Sequence, residues 1–158
     1  MKRLFRRMLL AEQEIELSPG LKMNLDIRMH NQDSIFWFFE ETEPALQWAL
    51  KHLFPAGGTF LDVGANTGLL GLLAIYWRQG HVLFVEPHPR LAEMVRGNLR
   101  LNVRESHGEI FEFAASDRLR KVQLYLHPPN NDGGHSLMSF TGSTGSCTVR
   151  TQRLDALL

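Results

Sequence analysis

The residues with the most chemical content lie between Phe60 and Glu86. Phe60-Leu-Asp62-Val-Gly64-Ala65-Asn66-Thr67-Gly68 reads as a short strand that ends in an acid and enters a tight glycine turn just before an apolar helix. In open α/β sheets ligands bind beyond the carboxyl ends of the strands, and glycine lets the backbone approach a ligand with no Cβ in the way. The helix starting near Gly68 presents free N–H groups, which suit a carboxylate such as that of a methionine-like moiety. Glu86 closes the next strand, 18 residues past Gly68. A carboxylate there can accept hydrogen bonds from both hydroxyls of a ribose.

The spacing separates this turn from a dinucleotide site. That fingerprint is G-x-G-x-x-G, whereas here the pattern is Gly64-x-x-x-Gly68 with Asp62 two residues ahead. An acid at that point disfavours a pyrophosphate and tolerates a zwitterionic, cationic sulfonium. A nicotinamide-dependent oxidoreductase would need the third glycine, which is absent.

The elements that must position these residues follow from the pattern on either side. Glu14 to Leu17 and Leu21 to Ile27 are β-type runs around the turn Ser18-Pro19-Gly20, which predicts a hairpin. A polar break at Asn31 to Ser34 precedes Ile35-Phe-Trp-Phe-Phe39, whose aromatics fit a core. Thr42-Glu43-Pro44 then predicts a helix, hydroxyl-capped and with proline in its first turn, running to about Phe54. Thr59 to Val63 as a strand, Gly68 to Gln79 as a buried helix, His81 to Glu86 as a strand and Arg90 to Leu101 as an amphipathic helix make two successive βα units. Such units imply a parallel sheet with right-handed crossovers. Asn98 and Asn102, near the end of that helix, fit its termination. Glu109 to Ala115, Lys121 to His127 and Cys147 to Arg153 are further β-runs, and Pro128 to Gly145 is a long polar loop.

Composition excludes several classes. The 158 residues are 44% hydrophobic, enough for a core, and 17 basic residues balance 17 acidic ones, so no basic field exists to hold a nucleic acid. The single cysteine, Cys147, rules out an internal disulfide and fits a reducing cytoplasm as a small buried thiol. The start, Met1 to Ala11, is basic but has too short an apolar run for a signal peptide. Leu4, Phe5, Met8 and Leu9 share one helical face there, which suits an interfacial or docking helix. No run approaches a membrane span. The histidines at His30, His52, His81, His107, His127 and His135 are scattered and give His88 no partner at ligand spacing, so no metal is expected. His135 is the one candidate base for deprotonating an acceptor.

Five ordered blocks carry a family resemblance: Asp62 to Gly68, Val85-Glu-Pro-His-Pro89, Asn98-Leu-Arg-Leu-Asn102, Ala114-Ala-Ser-Asp117 and Arg153-Leu-Asp-Ala-Leu157. They resemble the blocks of FkbM-type methyltransferases, from about Glu43 to the last residue. The resemblance implies a class I methyltransferase, an α/β Rossmann-like parallel sheet with helices on both faces. S-adenosyl-L-methionine would lie across its strand ends, and the methyl would go to a hydroxyl on a sugar, polyketide or other small molecule or glycan. Carried over by position, Asp62, Gly64, Ala65, Asn66 and Gly68 shape the methionine end and Glu86 holds the ribose. Pro87 and His88 line the adenine, and the turn with Ser116 and Asp117 closes its far edge. Gly134-His135-Ser136-Leu137 matches the family's Gly-rich segment and would face the acceptor. The division expected is an extension over 1–42 and a partial cofactor domain over 43–158, incomplete at its carboxyl end because the family continues into an Asp-Val-Glu-Gly-type strand. The alternative is a non-catalytic binding module.

Overall fold

The computed structural model describes residues 11–128 and 130–157. The amphipathic helix expected around Leu4 to Leu9 lies outside them. β1 (Glu12–Ser18) and β2 (Leu21–Asp26) form the antiparallel hairpin, with Gly20 at φ 81° in its turn. Leu21, Met23 and Leu25 alternate inward from β2 and join the main core rather than a separate one. The hairpin is tied down at its end by Asp26, whose buried carboxylate takes hydrogen bonds from Arg28 and Arg90. The bonds from Arg28 hold its pKa down to about 2.

Asn31 to Ser34 is not a break. It forms most of the first turns of α1 (His30–Phe38), where Gln32 and Asp33 are buried and Asp33 accepts the Trp37 indole N–H at 3.0 Å. Of the aromatic run, Phe36 and Phe39 pack on the core while Phe38 is 43% exposed. α2 (Pro44–His52) begins with proline as expected, but Thr42 does not cap it. The Thr42 hydroxyl closes the preceding turn onto the Phe38 carbonyl at 3.0 Å, which puts Glu43 at the cap position in the left-handed region, φ 51°.

β3 (Thr59–Val63), α3 (Leu69–Arg78), β4 (His81–Val85), α4 (Pro89–Leu101) and β5 (Gly108–Phe111) form the two βα units and a parallel sheet in the order β3-β4-β5. Both crossovers step the same way, so α3 and α4 pack against the same sheet face. Phe84 on β4 meets Gly68 and Gly71 at the start of α3, and also Gly108, which in turn lies against Leu99 of α4. Among the described residues β3 pairs only with β4, which leaves its other edge open.

The third β-run does not continue unbroken from Glu109 to Ala115. β5 ends at Phe111, the chain kinks as the Phe113 N–H bonds the Phe111 carbonyl at 3.1 Å, and Phe113 turns inward. The next residues form a separate strand, β6 (Ala114–Ala115), which pairs with β8 (Gly145–Gln152) rather than with the main sheet. β7 (Arg120–Leu126) completes this second sheet, antiparallel to β8, over a small cluster of Ala114, Leu124 and Val149 with Cys147 packed beside it. No helix among the described residues is long and apolar enough to cross a membrane.

The close contact of α3 with β4 makes a paired prediction. A Cβ at Gly71 would enter the space of the Phe84 ring and stand 2.9 Å from Val82. Gly71→Ala should therefore destabilise by about 1–3 kcal/mol through overpacking. Gly97, inside α4, has nothing within 4 Å of such a carbon. Gly97→Ala should stabilise by roughly 0.5–1 kcal/mol by removing backbone freedom from the unfolded chain. Thermal denaturation followed by circular dichroism checks both signs.

Candidate functional site

The glycine turn is built against the end of β4. Gly64 and Ala65 both donate their N–H to the Val85 carbonyl, at 2.8 and 3.2 Å, and Gly64 and Gly68 take φ of 76° and 84° that a side chain would strain. Asn66, between them, is also left-handed at φ 53°, a conformation asparagine tolerates better than most residues.

Two buried carboxylates flank the turn. Asp62, 6% exposed, accepts the Gly71 N–H at 3.0 Å through Oδ2 and so caps the first turn of α3 from the strand end. Its other oxygen accepts no hydrogen bond among the described residues, and the side chain lines a cavity. Burial pushes its pKa up to about 6. Glu86, 4% exposed, accepts the Asn66 N–H at 2.8 Å on Oε2 and the His88 N–H at 2.9 Å on Oε1. Burial pushes it to about 7, against the pull of those two N–H groups, and the carboxylates of Asp62 and Asp132 add to the rise. Among the described residues neither acid has a cationic partner. Each oxygen of Glu86 keeps a lone pair for a further donor.

Asp62 lines one cavity and His88, two residues past Glu86, lines a second, while Glu86 itself lines neither. The first, about 580 Å³, runs from Asp62 and the Gly64 to Leu70 segment to α1 and Glu43, and among the described residues its lining has three carboxylates (Glu41, Glu43, Asp62) and no lysine, arginine or histidine. The second, about 300 Å³, lies on the His88 side, between α4 and the loop after β7. The segment Asn130 to Gly133 passes between them. Its Asp132 lines the second cavity and Gly133 the first, and the Asp132 carbonyl accepts the Asn66 side-chain N–H at 3.2 Å. A further groove of about 570 Å³ lies between the hairpin and α4, away from the turn.

Asp62, Gly64, Ala65, Asn66 and Glu86 thus come together with the start of α3, and Gly68 caps that helix in the left-handed conformation. Half-buried Pro87 links Glu86 to His88, whose ring lines the second cavity. Burial, followed by the nearby Arg90 cation, lowers the His88 pKa. Ser116 lines neither cavity; its hydroxyl bonds Asp117, which is itself paired with Arg118 at the surface. His135 stacks on His88 with ring centroids 4.9 Å apart, and its Nδ1 accepts the His127 N–H at 3.3 Å. Burial lowers its pKa too. In the neutral ring that leaves Nε2 as a donor, so no lone pair is free for a base. Among the described residues no three His, Cys, Asp or Glu groups could hold a metal.

Three side chains contribute through pairings that no local pattern recorded. Gln32 in α1 donates to Asp132 Oδ2 at 2.5 Å, a hundred residues away, and accepts the Asp26 N–H at 2.7 Å. Asn98 is not a helix terminator: buried in α4, it donates to the Thr67 carbonyl of the turn at 3.0 Å and accepts the Asn24 N–H of β2 at 2.8 Å. A second asparagine, Asn102, does end α4 and also pairs both backbone groups of Lys22.

The uncompensated acids set a pH dependence. Both are raised in the fold, to about 6 and about 7 from ordinary values of 3.8 and 4.5. Between those limits these two acids bind more protons in the folded chain than in the unfolded one, so their contribution to stability falls as pH rises. His88 and His135, lowered in the fold, contribute in the opposite sense below their ordinary value of 6.5, and Asp26, near 2, titrates below this window. Urea denaturation at about pH 5 and pH 7 should show Glu86→Gln lacking a loss on the order of 2 kcal/mol that the unmodified chain carries across that interval.

No family model matches the chain. Over 68 residues it is 41% identical to an arginine N(omega)-methyltransferase of Streptomyces achromogenes subsp. streptozoticus, a stretch that is 43% of this chain and 18% of that protein. The chain therefore spans less than a fifth of that relative's length. Among solved structures, a proposed transferase of Pyrococcus horikoshii superposes with a TM-score of 0.50 at 16% identity, covering 66% of this chain and 37% of that one. An S-adenosylmethionine-dependent methyltransferase of Agrobacterium tumefaciens aligns with a TM-score of 0.46 at 15% identity over 65% of this chain and 32% of its own. The likeness to the Pyrococcus protein is one of fold: an α/β architecture whose parallel sheet is β3-β4-β5 and whose crossover helices are α3 and α4.

Proposed function

We propose that this chain carries the cofactor-binding part of an S-adenosylmethionine-dependent methyltransferase. The observation behind the reading is the pair of buried acids, Asp62 and Glu86, at the ends of adjacent parallel strands around the Gly64 to Gly68 turn, with no cation among the described residues to balance either. Ligands of open parallel sheets bind at that edge. The streptomycete relative, an arginine N(omega)-methyltransferase by name, supports the same class.

The residues fit such a cofactor. Asp62, unpartnered on one oxygen, suits an ammonium, and the first turn of α3 gives up only the Gly71 N–H to it, leaving its leading donors for a carboxylate. Glu86 has the acceptor capacity for two ribose hydroxyls, with Pro87 and His88 beyond it on the side of the base. The turn approaches the ligand with bare backbone at Gly64, where nothing lies within 4 Å of an added Cβ. When bound, the cofactor supplies an electrophilic methyl on a sulfonium. The chain's part is to hold it in place and keep water from the acids.

For the acceptor, the family resemblance favours a hydroxyl of a sugar, polyketide or other small molecule. A second reading, a basic nitrogen such as that of arginine, is favoured by the three carboxylates that line the larger cavity and by the chemistry in the relative's name. Mass spectrometry of products from L-arginine and from a glycoside, each incubated with S-adenosylmethionine, separates the two. Cofactor binding without any methylated product supports the binding-module alternative.

Calorimetric titration with S-adenosylhomocysteine tests the cofactor. Hydroxyls donating to Glu86 favour its charged form, so binding below its pKa of about 7 must expel a proton. Affinity should be about tenfold higher at pH 8 than at pH 6. Glu86→Gln should weaken binding and remove that dependence. Failure of the unmodified, folded chain to bind at either pH sinks the proposal.

A further inference from the structure

Asp132 is 8% exposed, and its Oδ1 is buried without a hydrogen-bond partner, a rare condition for a carboxylate oxygen. Its orientation is fixed from behind. The Gln32 side chain is fully buried; its Oε1 accepts the Asp26 N–H, which leaves Nε2 to donate to Asp132 Oδ2. The Asp132 carbonyl is held by Asn66. What remains is one fixed, unpaired acceptor on a side chain that lines the 300 Å³ cavity, together with Leu91, Leu126, Pro128 and His88. Among the described residues the Nδ1 of His88 is a second buried side-chain polar atom without a partner, and the His88 N–H bonds Glu86. Through His88, which lines the same cavity and bonds Glu86, the orphaned acceptor is tied to the acid proposed for the ribose.

We propose that Asp132 determines base specificity, its Oδ1 accepting a hydrogen bond from the exocyclic amine of the adenine ring. This rests on the cofactor reading above. Burial makes the discrimination steep, because an oxygen that gains no donor there has no water to turn to. An amine supplies the donor. A carbonyl at the same ring position sets oxygen against oxygen. Asp117, the acid that the resemblance puts at the base's far edge, is exposed and bonded to Ser116 and Arg118 instead.

The test is calorimetric titration of the full chain with three probes that differ only at the purine 6-position: S-adenosylhomocysteine, its 6-unsubstituted purine analogue and S-inosylhomocysteine. The expected order is amine tightest, hydrogen next and carbonyl weakest, with at least tenfold between the first and last. In Asp132→Asn, Gln32 still demands an acceptor, so the new amide turns its oxygen to Gln32 and its NH₂ into the cavity. The preference for the amine should then shrink or reverse. Equal affinities for the three probes overturn the assignment, as does a folded Asp132→Asn chain with an unchanged ratio, or a ratio that moves in Asp117→Asn and not in Asp132→Asn. If Asp132→Asn does not fold, the probe series on the unmodified chain still decides. Failure to bind S-adenosylhomocysteine at all overturns the cofactor reading itself, whereas binding without discrimination overturns only the role of Asp132.

Discussion

The structure around the strand ends depends on one buried carboxylate. Glu86 accepts the Asn66 N–H on one oxygen and the His88 N–H on the other, so a single side chain joins the loop after β3 to the loop after β4. The first bond helps hold Asn66 in its left-handed conformation, and the second sets the start of α4. Two backbone N–H groups cannot replace the hydration of a carboxylate, and its pKa stays raised. The same burial that fixes both loops therefore leaves an unfinished electrostatic environment. Such a site gives up some stability for preorganisation and recovers it when donors arrive.

A second constraint runs through Asn98. Its amide reaches the Thr67 carbonyl on one side and the Asn24 N–H on the other, from a helix that also buries Leu91, Val95 and Leu99. Asn102 repeats the edge pairing at Lys22, so α4 meets the edge of β2 through side-chain amides placed one helical turn apart. The hairpin is thereby coupled to the glycine turn, and its inward residues Leu21, Met23 and Leu25 share the core of the sheet. An exposed β2 edge would invite pairing with another chain; these amides occupy part of it.

What could be read from the sequence was local. The glycine spacing, the acid closing each strand and the two βα units are set by neighbours a few residues apart, and β3, α3, β4 and α4 fall within a residue or so of their expected limits. The misplacements came from competing partners, some of them near and some far along the chain. Asn31 to Ser34 is polar enough to be a break, yet Gln32 and Asp33 are buried because Asp26, Asp132 and Trp37 bond them. Thr42 has the chemistry of a cap but spends its hydroxyl on the preceding turn. Glu109 to Ala115 alternates like one strand, and nothing in that alternation records that β8 claims Ala114 and Ala115.

The loop after β7 shows why the site outgrew its motif. Gly133 lies so close to the Asn31 side chain, and Gly134 so close to the His127 ring, that neither position has room for a Cβ. These glycines let the backbone press against α1 and β7 at once, which brings Asp132 to Gln32 and Asn66. The turn on β3 and the acid on β4 then form the floor, while α1 and this loop form the roof and divide the space into two cavities. Floor residues recur wherever an open parallel sheet binds a ligand, because strand ends and helix starts impose them. Roof residues answer only to the particular ligand. The orphaned oxygen of Asp132 belongs to the roof, and its lack of a partner in an otherwise well-bonded loop makes it the place where this chain's own specificity is written.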